Sequence, residues 1–310
     1  MRTRSRVDAL VTVVGIAILT LLMSGCRDGS IGGVMTPRQE HDLGAQYAAD
    51  LDKQVKYVDD GTVNARILAI ALPIFVQANK ERPDVTFRIR VIDDKEVNAF
   101  SIPGGYIYVN KGLLDKLGAD DDAVACVIGH ESAHVVRRHV VKLIAESEDQ
   151  GFLVGVAALL TKSSVVGNVG DAVVDLQDLH FSRNDEYEAD RWGEKFAYNA
   201  GYDPAGMLRT FRMLQDVEKT EGGHDPPYAQ DHPITRNRAL RAIEQLRELK
   251  ANDGQYISNV YDPTGDQVAA KKNGIDYPAL VLSTSNVDIG SLPADKTPDK
   301  DTGGVNGKKQ

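Results

Sequence analysis

The segment His130-Glu131-Ser132-Ala133-His134 places two imidazoles four residues apart, with a carboxylate between them. On a helix a four-residue step is about 400°, little more than one turn, so both rings project from one face. Two ring nitrogens about one turn apart can share one tetrahedral Zn²⁺. Glu131 sits on the same rim, poorly placed to be a third ligand there but able to reach a metal-bound water and take its proton. With 7 His in 310 residues, chance produces on the order of 0.01 such motifs in a chain of this length. The bland alternative is a helix with surface histidines. The flanking residues Val124, Ala125, Val127, Ile128 and Val135 are apolar, and an ionisable trio buried among them without a ligand would be costly. The pattern predicts a metal.

A catalytic zinc needs a third protein ligand and a position for water. Glu186 is the candidate, in Ser182-Arg183-Asn184-Asp185-Glu186-Tyr187-Glu188-Ala189-Asp190. Asp190 follows it by four residues on a predicted helix and shares its face. It can accept the far N–H of a ligating histidine, fixing the tautomer and raising the basicity of the ring. Glu188 competes with Glu186, but its carboxylate points about 200° away. Taken singly, each of these acids reads equally as a solvated helix face.

In order along the chain, Gly129-His130-Glu131-x-x-His134 is followed by Arg138-His139 and by Ser-Arg-x-x-Glu186-x-Glu-Ala-Asp190. This combination resembles the membrane-associated zinc endopeptidases typified by HtpX, BepA and the CAAX prenyl protease. Residues 98–109, Asn-Ala-Phe-Ser-Ile-Pro-Gly-Gly-Tyr-Ile-Tyr-Val, are similar to that family's strand pair. Residues 40–44 resemble the N-terminal part of its periplasmic members. Asp231-His232-Pro233 followed by Arg238 resembles its Thr-His-Pro…Arg segment, with Asp in the Thr place. The resemblance covers roughly residues 36–250 and lacks both the long helical-repeat domain of BepA and the multiple membrane helices of HtpX. It implies Glu186, rather than Glu188, as third ligand. It implies that Asn98, Ala99 and Phe100 form an edge strand that pairs with an extended substrate peptide, although a plain structural hairpin reads as well from the residues. His232 has two roles open to it besides that of an ordinary loop histidine. It can donate to an oxyanion, or, as the resemblance implies, it can close the fourth zinc position and hold the enzyme latent. Arg238 can support the site, bind the oxyanion or merely pair with acids on its own helix. His41, His139, His180 and His224 read as structural or exposed.

Periodicity supplies the elements that must position these residues. Leu43, Tyr47, Leu51 and Val55 recur at four-residue spacing, as do Ile67, Ile70, Ala71 and Ile74, with Asp59-Asp60-Gly61 between the two stretches and Pro73 expected to end or kink the second. Residues 86–91 alternate Phe87, Ile89 and Val91 with Thr86, Arg88 and Arg90. With 97–101 and 106–110 they predict a small antiparallel sheet. Helices are expected over 121–146, 175–200, 204–217 and 235–250. Residues 151–170 are apolar but broken by glycines, and read as a buried hairpin or a mobile cover. The fold class is therefore α+β and mainly helical: a gluzincin-like metalloprotease domain with the sheet beside the H-E-x-x-H helix.

The N-terminus reads as an address. Arg2, Arg4 and Arg6 precede an apolar run from residue 9 to residue 23, and Met23-Ser24-Gly25-Cys26 resembles the bacterial lipobox. Residues 1–25 are expected to be a lipoprotein signal peptide, Cys26 the lipidated residue and 26–35 a tether; the alternative is an uncleaved signal anchor. Either places the body outside the cytoplasm. Arg27 rather than Asp after the lipid site favours the outer membrane of a two-membrane bacterium, by resemblance to that sorting rule. Cys126 is then expected to be a small buried apolar residue. The metalloprotease domain spans 36–250, with a C-terminal extension over 251–282 and a disordered tail over 283–310.

The chain has 310 residues with 42% hydrophobic and 26% charged, and a net charge of −9. That acidity makes it a poor candidate for nucleic-acid binding. Together these readings imply an endopeptidase with one Zn²⁺ per chain, in which Glu131 activates water. Its substrates, by analogy with the resembled family, are unfolded or misassembled envelope proteins in outer-membrane quality control. The partners are polypeptides, the membrane through lipid on Cys26, and outer-membrane assembly machinery. A zinc-containing chaperone or assembly factor with little proteolysis is the alternative.

Overall fold

The computed structural model describes residues 35–147, 181–220, 223–253 and 293. The expected signal peptide, Cys26, the apolar stretch 151–170, the 254–282 part of the extension and nearly all of the tail lie outside them.

Helix α1 (Pro37–Leu51) opens on a capping box, in which the Thr36 hydroxyl accepts from Gln39 N and the Gln39 side chain reaches back to Thr36 N. Leu43, Tyr47 and Leu51 bury one face of it. Helix α2 (Gly61–Glu81) is capped by Asp60, whose carboxylate accepts from Thr62 and Val63 N. Pro73 lies inside this helix and does not end it. The missing N–H costs about 3 kcal/mol, but Ile67, Ile70, Ala71, Ile74, Phe75 and Ala78 are all buried. Each large side chain among them contributes roughly 1.5–3 kcal/mol, so tertiary packing outweighs the local penalty. Among the described residues α2 is the one helix long and apolar enough to cross a membrane.

Strands β1 (Arg88–Ile92), β2 (Ala99–Ile102) and β3 (Tyr106–Asn110) form one sheet in the order β1-β3-β2. The sheet is mixed rather than wholly antiparallel as expected: β2 and β3 are antiparallel, β1 and β3 parallel. The tight Pro103–Gly105 turn, with Gly104 at φ 82° and Gly105 at φ 96°, obliges β2 and β3 to pair antiparallel. The chain does reverse between β1 and β2. However, β3, buried along nearly its whole length, takes the central place between them, where both its edges are paired. One face of the sheet (Val91, Ala99, Ile107, Val109) joins the main core; the other (Ile92, Phe100, Ile102, Tyr108) packs with α1 residues in a second cluster.

Helix α3 (Lys111–Leu117) leads into α4 (Asp121–Arg137), the H-E-x-x-H helix. Asp120 caps α4 through Ala123 N, and Asp121 and Asp122 place negative charge in its first turn. Every residue from Ala123 to Val136 is buried. The expected single helix over 121–146 is broken at Arg138, which is left-handed (φ 59°), and resumes as α5 (His139–Glu146). Arg138 tolerates that conformation because its side chain is held: Nε donates to Glu40 Oε2 at 2.8 Å and Nη2 to the Met35 carbonyl at 2.6 Å.

Helix α6 (Arg183–Asn199) is capped by Ser182, which accepts from Asp185 N; the 175–180 part of the expected helix lies outside the described residues. Helices α7 (Gly206–Thr220), α8 (Pro227–Asp231) and α9 (Arg236–Asp253) complete the described fold. Helices α4 and α6 meet backbone to backbone at Gly129 and Gly193. A Cβ on Gly129 would lie 2.6 Å from the Gly193 carbonyl oxygen, and one on Gly193 would lie 2.7 Å from His130 N. Only glycine at both positions lets the two helices approach this closely. Cys126 lies on the same helix as His130, fully buried with its thiol pushed well up by burial, the behaviour of an inert apolar residue.

Candidate metal centre

Helix α4 projects His130, Glu131 and His134 into the interior, each 1% exposed or less. Helix α6 supplies Glu186, and the residue after α8 supplies His232; both are buried. The four groups converge. His134 Nε2 is 3.0 Å from His130 Nε2, which is 3.3 Å from His232 Nδ1. Glu186 Oε1 is 2.9 Å from His232 Nδ1 and 3.5 Å from His134 Nε2, while its Oε2 is 3.6 Å from His130 Nε2. Two donors each about 2.1 Å from one ion at the tetrahedral angle would be about 3.4 Å apart. The observed separations bracket that value. Three imidazole nitrogens and a carboxylate turned toward a common centre, away from water, suit a divalent cation and little else.

The electrostatics point the same way. Burial holds His134 well below the ordinary imidazole range, leaving it neutral as a ligand must be. Burial would raise Glu186, but the charges of His232 and Arg238 prevail and keep its carboxyl well below the usual range. His232 is the exception: burial alone would lower it, but Glu186 and Glu131 lift it to about 9, so it must give up a proton before its Nδ1 can serve as a ligand.

Around the cage, Asp190 Oδ1 lies 3.0 Å from His130 Nδ1. Arg238 grips Asp190 with both arms of its guanidinium at 2.7 Å, touches Glu186 Oε2 at 2.7 Å, and donates to the carbonyls of His232 and Pro233. It pairs with the acids of α6, not with those of its own helix, and so ties the third-ligand candidate to the loop that carries His232. Glu188 turns away, to Arg137 at 2.6 Å and His139 at 3.1 Å. With His139 and Asp185 it forms a second compact group. Arg137 and Lys142 already supply cations there, so that group is an ion-pair network.

Glu131 is held by one oxygen. Its Oε2 accepts from the Ser101 hydroxyl at 3.0 Å; its Oε1 is buried without a hydrogen-bond partner, 3.6 Å from His232 Nε2. Burial pushes its pKa up, which makes it a better base. Ser101 comes from β2, the edge strand containing Ala99 and Phe100. Ala99 belongs to the main core and Phe100 stacks on Tyr108 in the second cluster. Asn98 precedes the strand and accepts from Asn110 N through its carbonyl. Tyr228 N donates to the Val97 carbonyl, placing the His232 loop beside the start of β2.

Sequence reasoning passed over Ser101, His139, Phe181 and Tyr228 as site residues. Phe181 lies over His134 with centroids 4.1 Å apart, and Tyr228 packs 4.8 Å from His232. Ser101 and His139 fell inside motifs already recognised, and that was the only available signal. Whether each would touch the cage depended on the strand's facing and on the break at Arg138.

The glycine contact carries the first testable consequence. Gly193→Ala is expected to push α6 from α4, costing about 1–3 kcal/mol. It should also weaken zinc binding roughly tenfold or more, since ligands on both helices must stay within about 0.5 Å of their places. Thermal melting and zinc titration check this; a variant unchanged in both would contradict the contact.

Comparison with known proteins places these features in context. The family model described as peptidase family M48 matches residues 60–247. Metalloprotease LoiP of Escherichia coli K12 is 32% identical over 172 residues, covering 52% of this chain and 61% of LoiP. The beta-barrel assembly-enhancing protease of the same organism is 23% identical over 241 residues, 75% of this chain and 49% of that protein. The mitochondrial metalloendopeptidase OMA1 of Schizosaccharomyces pombe is 32% identical over 182 residues, 58% of this chain and 52% of OMA1. The chain spans about half the length of the relatives it matches.

Proposed function

The chain belongs to peptidase family M48, and from that premise we propose that it is a zinc-dependent endopeptidase acting on unfolded or misassembled proteins of the cell envelope. The observation that carries the reading is the pairing of a buried four-donor cage with a carboxylate anchored on one oxygen only. His130, His134 and Glu186 would hold the ion. Zinc, when bound there, supplies a Lewis acid for the scissile carbonyl and makes water acidic enough to deprotonate near neutral pH.

The chain's own residues do the rest. Ser101 fixes Glu131 so that Oε1 faces the cage; that oxygen takes the proton of the attacking water and returns it to the leaving amine. Asp190 holds His130 in its ligating tautomer, and Arg238 holds Asp190. Strand β2, with Asn98 leading into it, offers its edge to an extended peptide, a mode that reads backbone more than side chains. We assign His232 as the fourth donor of the resting state, since its Nδ1 lies among the other ligand atoms. As a donor to the oxyanion its ring must first leave that place.

The names of two relatives, beta-barrel assembly-enhancing protease and LoiP, together with the lipobox-like segment at Cys26, support an envelope setting. There the protein would be lipid-anchored on the periplasmic side, with outer-membrane assembly machinery as partner. One observation favours a second reading. A cage of four protein donors suits a structural zinc, hence a chaperone or assembly factor with little proteolysis.

Digestion of casein separates the two. The purified chain is expected to degrade it, to lose that activity completely on chelation, and to regain it with stoichiometric Zn²⁺. Zinc binding without any cleavage would favour the chaperone.

A further inference from the structure

The cage treats its two helical histidines differently. A metal-ligating histidine almost always hands its second ring N–H to a carboxylate, a carbonyl or water, which sets its tautomer and orientation. His130 has a carboxylate in that place, Asp190 Oδ1 at 3.0 Å from its Nδ1. His134 does not: its Nδ1 is 2.9 Å from Nδ1 of His139, a fully buried second imidazole. If Nε2 of His134 is to keep a lone pair for the cage, its Nδ1 must carry hydrogen. That hydrogen needs an unprotonated Nδ1 on His139, which must then carry its own hydrogen on Nε2. The surroundings supply the matching acceptors, Glu188 Oε2 at 3.1 Å and Asp185 Oδ1 at 3.4 Å from His139 Nε2. A donor–acceptor chain thus runs from two carboxylates of α6 through His139 to a ligand on α4.

The backbone is built for this contact. On an unbroken helix a residue five positions after His134 would point about 140° away from it. The left-handed turn at Arg138 brings His139 back against the ring.

We propose that His139 is a positioning residue that holds His134 in its metal-binding tautomer, with Glu188 and Asp185 setting the tautomer of His139 in turn. A histidine that merely anchored α5 to α6 would need Nε2 toward Glu188 and nothing on Nδ1, and losing it would cost stability without touching metal affinity.

The test uses the full chain in detergent and reads zinc affinity by competition with a chromophoric chelator, together with the visible spectrum of the Co²⁺-substituted protein. His139→Leu should bind zinc roughly 10–100-fold more weakly and show a shifted Co²⁺ spectrum. His139→Asn, whose amide oxygen can accept in place of Nδ1, should stay within about threefold of wild type. The double variant Asp185→Ala/Glu188→Ala should lose about 3–10-fold. Equal affinities for wild type and Leu, or equal losses for Leu and Asn, would overturn the inference. Should the Leu variant fail to fold, the double variant, at half-buried positions, decides: unchanged affinity overturns the proposal. The inference rests on the metal reading of the cage, and the two fail separately. Wild-type protein that takes up no zinc sinks the metal reading, whereas normal wild-type binding with indifferent variants sinks this proposal alone.

Discussion

Glu131→Gln protein is expected to bind one zinc as tightly as wild type while cleaving unfolded polypeptide about 10²–10⁴-fold more slowly, the range a positioned general base contributes. The amide keeps the shape of the side chain and can still accept from Ser101, so packing around β2 is preserved. What disappears is the basicity of the oxygen that accepts no hydrogen bond. Because Glu131 is not among the converging ligand atoms, metal content should not follow activity down. Casein hydrolysis and zinc analysis on the same preparation measure both quantities. A variant that digests casein at the wild-type rate would remove Glu131 from the chemistry. An inactive but zinc-loaded variant also traps substrates, and comparing the proteins it retains with those retained by wild type would identify them.

Glu40→Ala should destabilise the fold by about 3–5 kcal/mol, the cost of leaving buried charge uncompensated. Glu40 is 1% exposed and receives three charged hydrogen bonds at 2.8 Å, two from Arg82 and one from Arg138. Arg82 also donates to the Val135 carbonyl in the last turn of α4. Removing the carboxylate strands two guanidiniums that are less than a tenth exposed. For a domain of this size the loss corresponds to a drop in melting temperature of roughly 6–20 °C. Denaturant titration of zinc-saturated protein is the measurement, and a loss under about 1 kcal/mol would show that the network is dispensable. The same carboxylate holds Arg138 at the break before His139, so zinc affinity should weaken alongside stability.

The reach of sequence reasoning differs between these two sites. The spacing of His130 and His134, and of Glu186 and Asp190, is local and helical, and four-residue periodicity puts each pair on one face whatever the rest of the chain does. The structure brings all four together with His232 and Arg238. Glu40 was visible only as part of a resembling segment; its partners are 42 and 98 residues away, a separation no periodicity encodes. Pro73 shows the converse: its local rule was sound, and the burial of neighbouring side chains overrode it.

From residue types and intervals alone came a mainly helical α+β chain, a candidate metal-binding pair on one helix, candidate carboxylates sharing a face of another, and a candidate base beside the pair. These follow from short-range geometry, in which a side chain's direction depends on its own helix. The order of the sheet, the reversal at Arg138, the seating of Ser101 on Glu131 and the contact of His139 with His134 came from packing. Each depends on which surfaces exclude water against one another across long stretches of chain, and that competition is settled only when the whole core closes.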